Sequence, residues 1–402
     1  MMPLSDMDQF ARIKVIGVGG GGSNSVSRMI RAEVRGIECI AVNTDAQALA
    51  RTDADTRIHI GDKLTRGLGA GGDPQKGMKA AEETSNQLFE ALKDSDMVFI
   101  TAGMGGGTGS GAAPVIAQIA SEMGALTVAI VTKPFSFEGR QRMRIAEESI
   151  ELLRDKVDAL IVIPNDRIIA LANKTTSLEQ SFKMVDEVLH DGIQGIAEII
   201  TLPGLINVDF NDIKAIMTKA GSALMSIGRG TGENRAADAA RAVISNPLLE
   251  AKIDGARGIL FNITGGPDMT MQEVHEASMI IHDVADPDAN VIFGAAIDPN
   301  MENEIRITAV ATGFTGTTQS IRPGGLTSIR SPLAGPSTRA DAGSTDVPSF
   351  IRPRAVPATP PTGPQSRPSD GGTGSTASEN AGGSHATSPG ELPEFLRTLR
   401  PR

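Results

Sequence analysis

The chain is short of the residues that staple, span or carry a strong positive field. One cysteine, Cys39, stands in 402 residues, so no internal disulfide can form. Set in the apolar run IECIAV, it reads as a small buried side chain. No apolar run approaches the ~18 residues that a membrane span needs. The opening MMPLSDMDQF has no basic segment leading into an apolar one, so no secretory signal is expected. Lys and Arg number 38 against 48 Asp and Glu, a net charge of −10. Without a concentrated basic face, nucleic acid is not an expected partner. The five histidines, His59, His190, His275, His282 and His385, have none of the spacing that metal ligands require. With 40% hydrophobic residues, the chain has material for two cores and a tail. A soluble cytoplasmic protein is expected.

Glycine is what the sequence has in plenty. Residues 105–111 read GGGTGSG, directly after the apolar run MVFITAGM and before AAPVIAQIA. That order predicts a buried strand, a tight loop and a helix start. Such a loop can turn its backbone N–H groups inward and let a phosphate approach closely. Thr108 and Ser110 add hydroxyls, and the positive end of the following helix favours the same anion. No lysine is present, so this is not the GxxxxGK(S/T) loop.

A second unit of the same kind comes first in the chain. IKVIGV at 13–18 reads as a strand, GGGGSN at 19–24 as a loop, and SVSRMIRAEV as a helix. Gly17, Gly19 and Gly22 match GxGxxG, with Asp45 as the acid that a dinucleotide site would place roughly 20 residues on. A Rossmann-type NAD-dependent oxidoreductase is therefore the rival reading. Against it stand two strand–loop–helix units and a third glycine-rich stretch, GLGAGGDP at 67–74. One nucleotide held by several separate loops accounts for all three.

From 13 to about 175 the apolar runs IKVIGV, IECIAVN, MVFITA, ALTVAIV and ALIVIP alternate with helical patterns. This predicts βαβ units, hence a mainly parallel sheet covered on both faces. Residues 177–200 carry apolar positions at helical spacing without proline and predict one long helix, ended by Pro203 and Gly204. Beyond it, SALMSIG, GILFNIT, NVIFGAAI and EIRITAVAT predict strands, with helices near 211–220, 235–245 and 271–284. The expected organisation is a flexible segment 1–12, a nucleotide-binding domain 13–176, a connecting helix 177–202 and a smaller α/β domain 203–317.

Residues 318–390 hold about half of the 23 prolines and no apolar periodicity, which predicts a disordered linker. ELPEFLRTLRPR at 391–402 then restores apolar residues at helical spacing, as a short binding peptide would. The remaining chemistry is acidic. NVDFND at 207–212 crowds an amide and two acids before the helical pattern IKAIMTKAG. Asn211 or Asp212 can cap that helix, which leaves Asn207 and Asp209 unexplained. Acids beside a phosphate site repel substrate unless a metal intervenes or they act on the attacking water.

GGGTGSG resembles the signature of the tubulin/FtsZ family. GGGGSN, GGDP, PFSFEGRQR, NVDFND and the terminal LPEFLR fall in the order and spacing of its bacterial cell-division branch, although Glu394 replaces a commonly smaller residue. The resemblance implies a Rossmann-like GTPase domain, a long central helix, a second α/β domain, a disordered linker and a tail peptide. It implies that Gly20, Gly21, Gly22, Ser23 and Asn24 cradle the diphosphate and that Gly107, Thr108 and Gly109 hold the phosphates from the other side. By the same resemblance Ala70, Gly71 and Gly72 sense the γ-phosphate, Glu138 bonds the ribose and Arg142 lies near the phosphates. Asn165 faces the nucleoside. Phe182 stacks on the base in a chain without Trp or Tyr, and Asp186 reads the guanine N1–H and exocyclic amine.

Asn207, Asp209 and Asp212 would complete the active site of the next subunit in a head-to-tail filament. GTP/GDP and Mg²⁺ are the implied ligands, with a monovalent cation left open. The implied setting is the ring at the mid-cell division site. Leu392, Pro393, Phe395, Leu396 and Arg397 would bind membrane tethers such as FtsA and other division proteins.

Overall fold

The computed structural model describes residues 11–34, 36–169, 176–201, 204–206, 208–248, 255–299 and 301–314. The linker 318–390, the peptide 391–402 and Asn207 lie outside the described residues, as does most of the segment 1–12.

Ten strands form in chain order: β1 (Ile13–Val18), β2 (Ile37–Asn43), β3 (Thr56–His59), β4 (Met97–Gly103), β5 (Leu126–Lys133), β6 (Ala159–Pro164), β7 (Gly221–Thr231), β8 (Gly258–Gly265), β9 (Asn290–Ile297) and β10 (Glu304–Thr312). Twelve α-helices lie among the described residues. The first six strands run parallel in the order β3-β2-β1-β4-β5-β6. They are nearly continuous apolar runs because helices cover both faces, as a parallel sheet requires. The same sheet continues as β7-β10-β8-β9. The join is a short parallel pairing of Ala159–Ile161 with Gly221–Ala223, after which β10 runs antiparallel to both β7 and β8.

Chain direction across this sheet fixes where a ligand can sit. The strand order reverses between β1 and β4, which are hydrogen-bonded neighbours. At such a switch point the two following connections depart to opposite faces and leave a crevice beyond the carboxyl ends of the strands. Here those connections are the two glycine loops, opening the helices Gly19–Arg31 and Thr108–Glu122.

One sheet face is sealed by Val26 and Met29 of the first helix and by Leu189, Ile193 and Ile196 of the helix Leu178–Thr201. The other is sealed by Ile116, Ala117 and Ile150 against Ile16, Ile100 and Val131. The helix Pro74–Glu83 lies so close to Thr108–Glu122 that side chains do not fit between them. A Cβ on Gly77 would stand 2.2 Å from the Gly107 carbonyl oxygen, and one on Gly111 2.0 Å from that of Pro74. Loop 70–73 is thereby pressed against the GGGTGSG loop.

Candidate functional site

A cleft of about 380 Å³ lies at the switch point. Its floor is backbone: Gly20 and Gly21 from the first loop and 106–109 from the second. Neither helix that starts there has a side-chain cap, and neither has an acid in its first turn. Four helices elsewhere carry a side-chain cap, Asp45 on Ala46–Ala50, Asp73 on Pro74–Glu83, Asp209 on Phe210–Met217 and Thr270 on Met271–His282, while Asp62–Thr65, Ser85–Leu92, Arg140–Arg154 and Arg235–Ile244 have none. Two helix N-termini left open toward one cleft form an anion site, since the first-turn amides need acceptors and the dipoles favour negative charge.

The cleft walls are side chains. Glu138 follows β5, accepts from the Phe135 amide at 2.9 Å and pairs with Arg142, one helical turn on. The Thr108 hydroxyl sits 2.6 Å from that of Thr44. Asn165, at the carboxyl end of β6, is 5% exposed and its Oδ1 has no protein partner. A buried amide oxygen on a cleft wall leaves a desolvation cost that a ligand donor would remove.

The helix Leu178–Thr201 supplies the far wall. Phe182 is 41% exposed and meets Phe135 edge to face, ring centroids 5.3 Å apart. One turn on, Asp186 faces Arg28 across 3.7 Å. Burial raises the Asp186 carboxyl to about 6; Arg28 opposes that rise and Glu187 adds to it. A carboxylate held short of solvation is primed for hydrogen-bond donors.

Eleven of the residues expected from the sequence meet at this cleft: Gly20, Gly21, Asn24, Gly107, Thr108, Gly109, Glu138, Arg142, Asn165, Phe182 and Asp186. Gly22 and Ser23 do not line it. Gly22 packs behind the loop, where a Cβ would stand 2.4 Å from the Thr101 carbonyl oxygen. Ser23 is buried and its hydroxyl has no protein partner. Ala70 is buried, its methyl 2.8 Å from where a Cβ on Gly107 would stand, while Gly71 and Gly72 are exposed beyond the lining.

Asp209 and Asp212 are exposed and away from the cleft. The cap of their helix is neither Asn211 nor Asp212: Asp209 Oδ1 accepts from the Asp212 amide at 2.8 Å. Asp45 also has a local task, accepting from the Ala48 amide at 2.9 Å, so the dinucleotide reading loses its ribose partner and has no other support. The site includes Thr132 and, behind Asp186, Arg28, which the sequence reading missed. Arg28 lies four residues after Asn24, one turn along the same helix face, and that spacing was the available signal.

Residues 12–173 match the GTPase domain of the tubulin/FtsZ family, and residues 221–315 match the FtsZ family C-terminal domain. The FtsZ of M. jannaschii, solved as an empty dimer, is 46% identical, with a TM-score of 0.74 over 77% of this chain and 93% of that one. The chain belongs to the tubulin/FtsZ family. It is a GTPase of the tubulin-like cytoskeletal class, and its nucleotides are GTP and GDP. The fold extends to two Haloferax volcanii proteins. CetZ1, solved as a GDP-bound monomer, is 22% identical with a TM-score of 0.65 over 76% of this chain and 94% of that one. CetZ2, solved as a GTPγS-bound protofilament, is 21% identical with a TM-score of 0.62 over 75% and 92%.

Proposed function

We propose that this tubulin/FtsZ-family GTPase assembles head to tail, each subunit's GTP being hydrolysed with acids of the next, into filaments that form the ring at the bacterial division site. The observation that carries the reading is a division of labour. The carboxylates on the cleft wall are engaged, Glu138 with Arg142 and the Phe135 amide, Asp186 beside Arg28. Asp209 and Asp212 sit exposed on another element, where they approach a γ-phosphate only when another subunit docks. A heterologous contact of that kind propagates into filaments. The M. jannaschii dimer and the CetZ2 protofilament support self-association.

Within the cleft, the roles follow from the chemistry present. The amides of Gly20, Gly21, 107 and 109 would hold phosphate oxygens, and Gly71 and Gly72 would close on the γ-phosphate. Glu138 would take the ribose hydroxyls, Asn165 and Phe182 the nucleoside. Ser23, behind the loop, and Asn207 in the acidic loop complete the set. Among the described residues no three His, Cys, Asp or Glu side chains form a ready metal cage. Mg²⁺ would take its ligands mainly from phosphate oxygens and would neutralise charge there. Asp209 and Asp212 would orient and polarise the attacking water, with no covalent intermediate.

Among the described residues no helix is long and apolar enough to cross a membrane. The tail peptide, with Leu392, Phe395, Leu396 and Arg397, would tether filaments to membrane-bound partners such as FtsA through the linker.

Asp186→Asn tests the nucleotide assignment. An amide presents a donor to one of the two guanine donors, so GTP affinity should fall about 10- to 100-fold while affinity for a phosphate-only ligand such as triphosphate is unchanged. The wild type should also lose GTP affinity as pH falls through about 6, where Asp186 takes up its proton, and the variant should not. Equal loss of triphosphate binding would overturn the role. For assembly, pelleting by sedimentation in GTP is the expected result, and a chain that stays monomeric in GTP at every concentration would overturn the filament reading.

A further inference from the structure

His59 ends β3 and stands outside the cleft, yet its ring is held on both nitrogens. Nδ1 contacts the carboxylate of Asp62, and Nε2 lies 3.2 Å from the Thr44 carbonyl oxygen. Both partners are acceptors. A neutral imidazole has one N–H and one lone pair, so it satisfies one of them and points a lone pair at the other. Only the imidazolium donates to both.

The Thr44 carbonyl is a junction. It also accepts from the Gly69 amide at 3.1 Å and the Thr65 hydroxyl at 3.3 Å. The Thr44 hydroxyl reaches Thr108 on the cleft floor. Gly67 packs over the ring, its carbonyl accepts from Ala46, and Leu68 bridges Asp45. The stretch 67–69 that leads into Ala70 and the Thr108 hydroxyl thus share one anchor.

We infer that His59 is a positioning residue for the GTP cleft: bridging Asp62 and the Thr44 carbonyl, it holds Thr44, and through Thr44 both Thr108 and the loop 67–69. The inference rests on the cleft holding GTP. Asp62 is the charged group in contact with the ring. The packed elements also carry Arg57 on β3, Lys63 and Arg66 around the helix Asp62–Thr65, and Asp45, whose carboxylate is taken by Ala48.

The test is calorimetric titration of GTP into the full chain, below its assembly threshold, at one fixed pH near neutral. His59→Leu should bind about five-fold more weakly than the wild type, the loss of one hydrogen bond. Asp62→Asn should bind as the wild type does, because its amide donates to Nδ1 while Nε2–H keeps the Thr44 carbonyl. Affinity for guanosine, which offers no phosphate to Thr108, should be equal in all three chains. Equal GTP affinity in the wild type and His59→Leu, or an equal loss of guanosine affinity, would overturn the inference while leaving the cleft reading intact; absence of GTP binding in the wild type would overturn both.

Discussion

Asp212→Ala is expected to bind GTP and to assemble as the wild type does while losing hydrolysis by about a hundred- to a thousand-fold. The side chain is exposed, lies outside the cleft and has no cap to make. Nothing in the nucleotide pocket or the core depends on it. Its loss should therefore fall on kcat, with GTP affinity measured in monomers left unchanged. Asp209→Ala is the less clean probe. Asp209 caps the helix Phe210–Met217, so its removal costs about 1 kcal/mol of stability besides any effect on water. A loss of GTP affinity in Asp212→Ala equal to the loss of turnover would contradict its placement.

The second large effect is one of stability. Arg235 is 4% exposed at the start of the helix Arg235–Ile244. Its Nε donates to Glu273 at 2.6 Å, Nη1 to the Asp268 carboxylate at 2.5 Å and Nη2 to the Asp268 carbonyl at 3.2 Å. Glu273 completes the capping box of Met271–His282 by accepting from the Thr270 amide at 2.7 Å. One guanidinium ties two helix starts together. Arg235→Ala leaves the Glu273 and Asp268 carboxylates without their cation, and because Asp268 is half exposed it should cost about 2–3 kcal/mol in urea unfolding near neutral pH.

The pH dependence has a definite sign. The hydrogen bond from Arg235, outweighing desolvation and helped by Thr270, pulls the Glu273 carboxyl down from 4.5 to about 2. A depressed carboxylate stabilises the fold above its ordinary value, and that contribution is lost as pH falls from about 4.5 toward 2. The gap between wild type and variant should accordingly be full at neutral pH and shrink at pH 3. A gap unchanged with pH would mean that packing, and not the charge pair, sets the cost.

Much of this was legible because the strong signals are local. The apolar runs of β1, β2, β4, β5 and β6 bury both faces, so each reads as an uninterrupted hydrophobic segment. β8 and β10 were readable for the same reason, and β7 and β9 from apolar runs that are exposed along part of their length. β3 was not: four residues at the sheet edge, TRIH, give no periodicity. The glycine loops were legible as a pair because each follows a buried strand and opens a helix. Gly22 reads as a cradle residue, and its lack of a side chain also allows close packing on Thr101, which only the fold shows. Asp45 reads as a ribose acid and Asn211 or Asp212 as a cap, whereas Asp45 and Asp209 each cap a helix starting at the next residue. Arg28 gave only its spacing from Asn24 and His59 gave no motif, since each acts through a tertiary partner, Asp186 or Thr44. Asn165, by contrast, was named in advance only through a family resemblance; its unpartnered oxygen is visible only in the fold.

The central claim is that one active site is built from two subunits. Phosphate release from GTP, per mole of protein across a range of protein concentrations, tests it most directly. A rate near zero below a threshold and rising above it is expected, as subunits bring Asp209 and Asp212 to a neighbour's cleft. A rate per mole that is the same at every concentration would place a complete site in each monomer and contradict it.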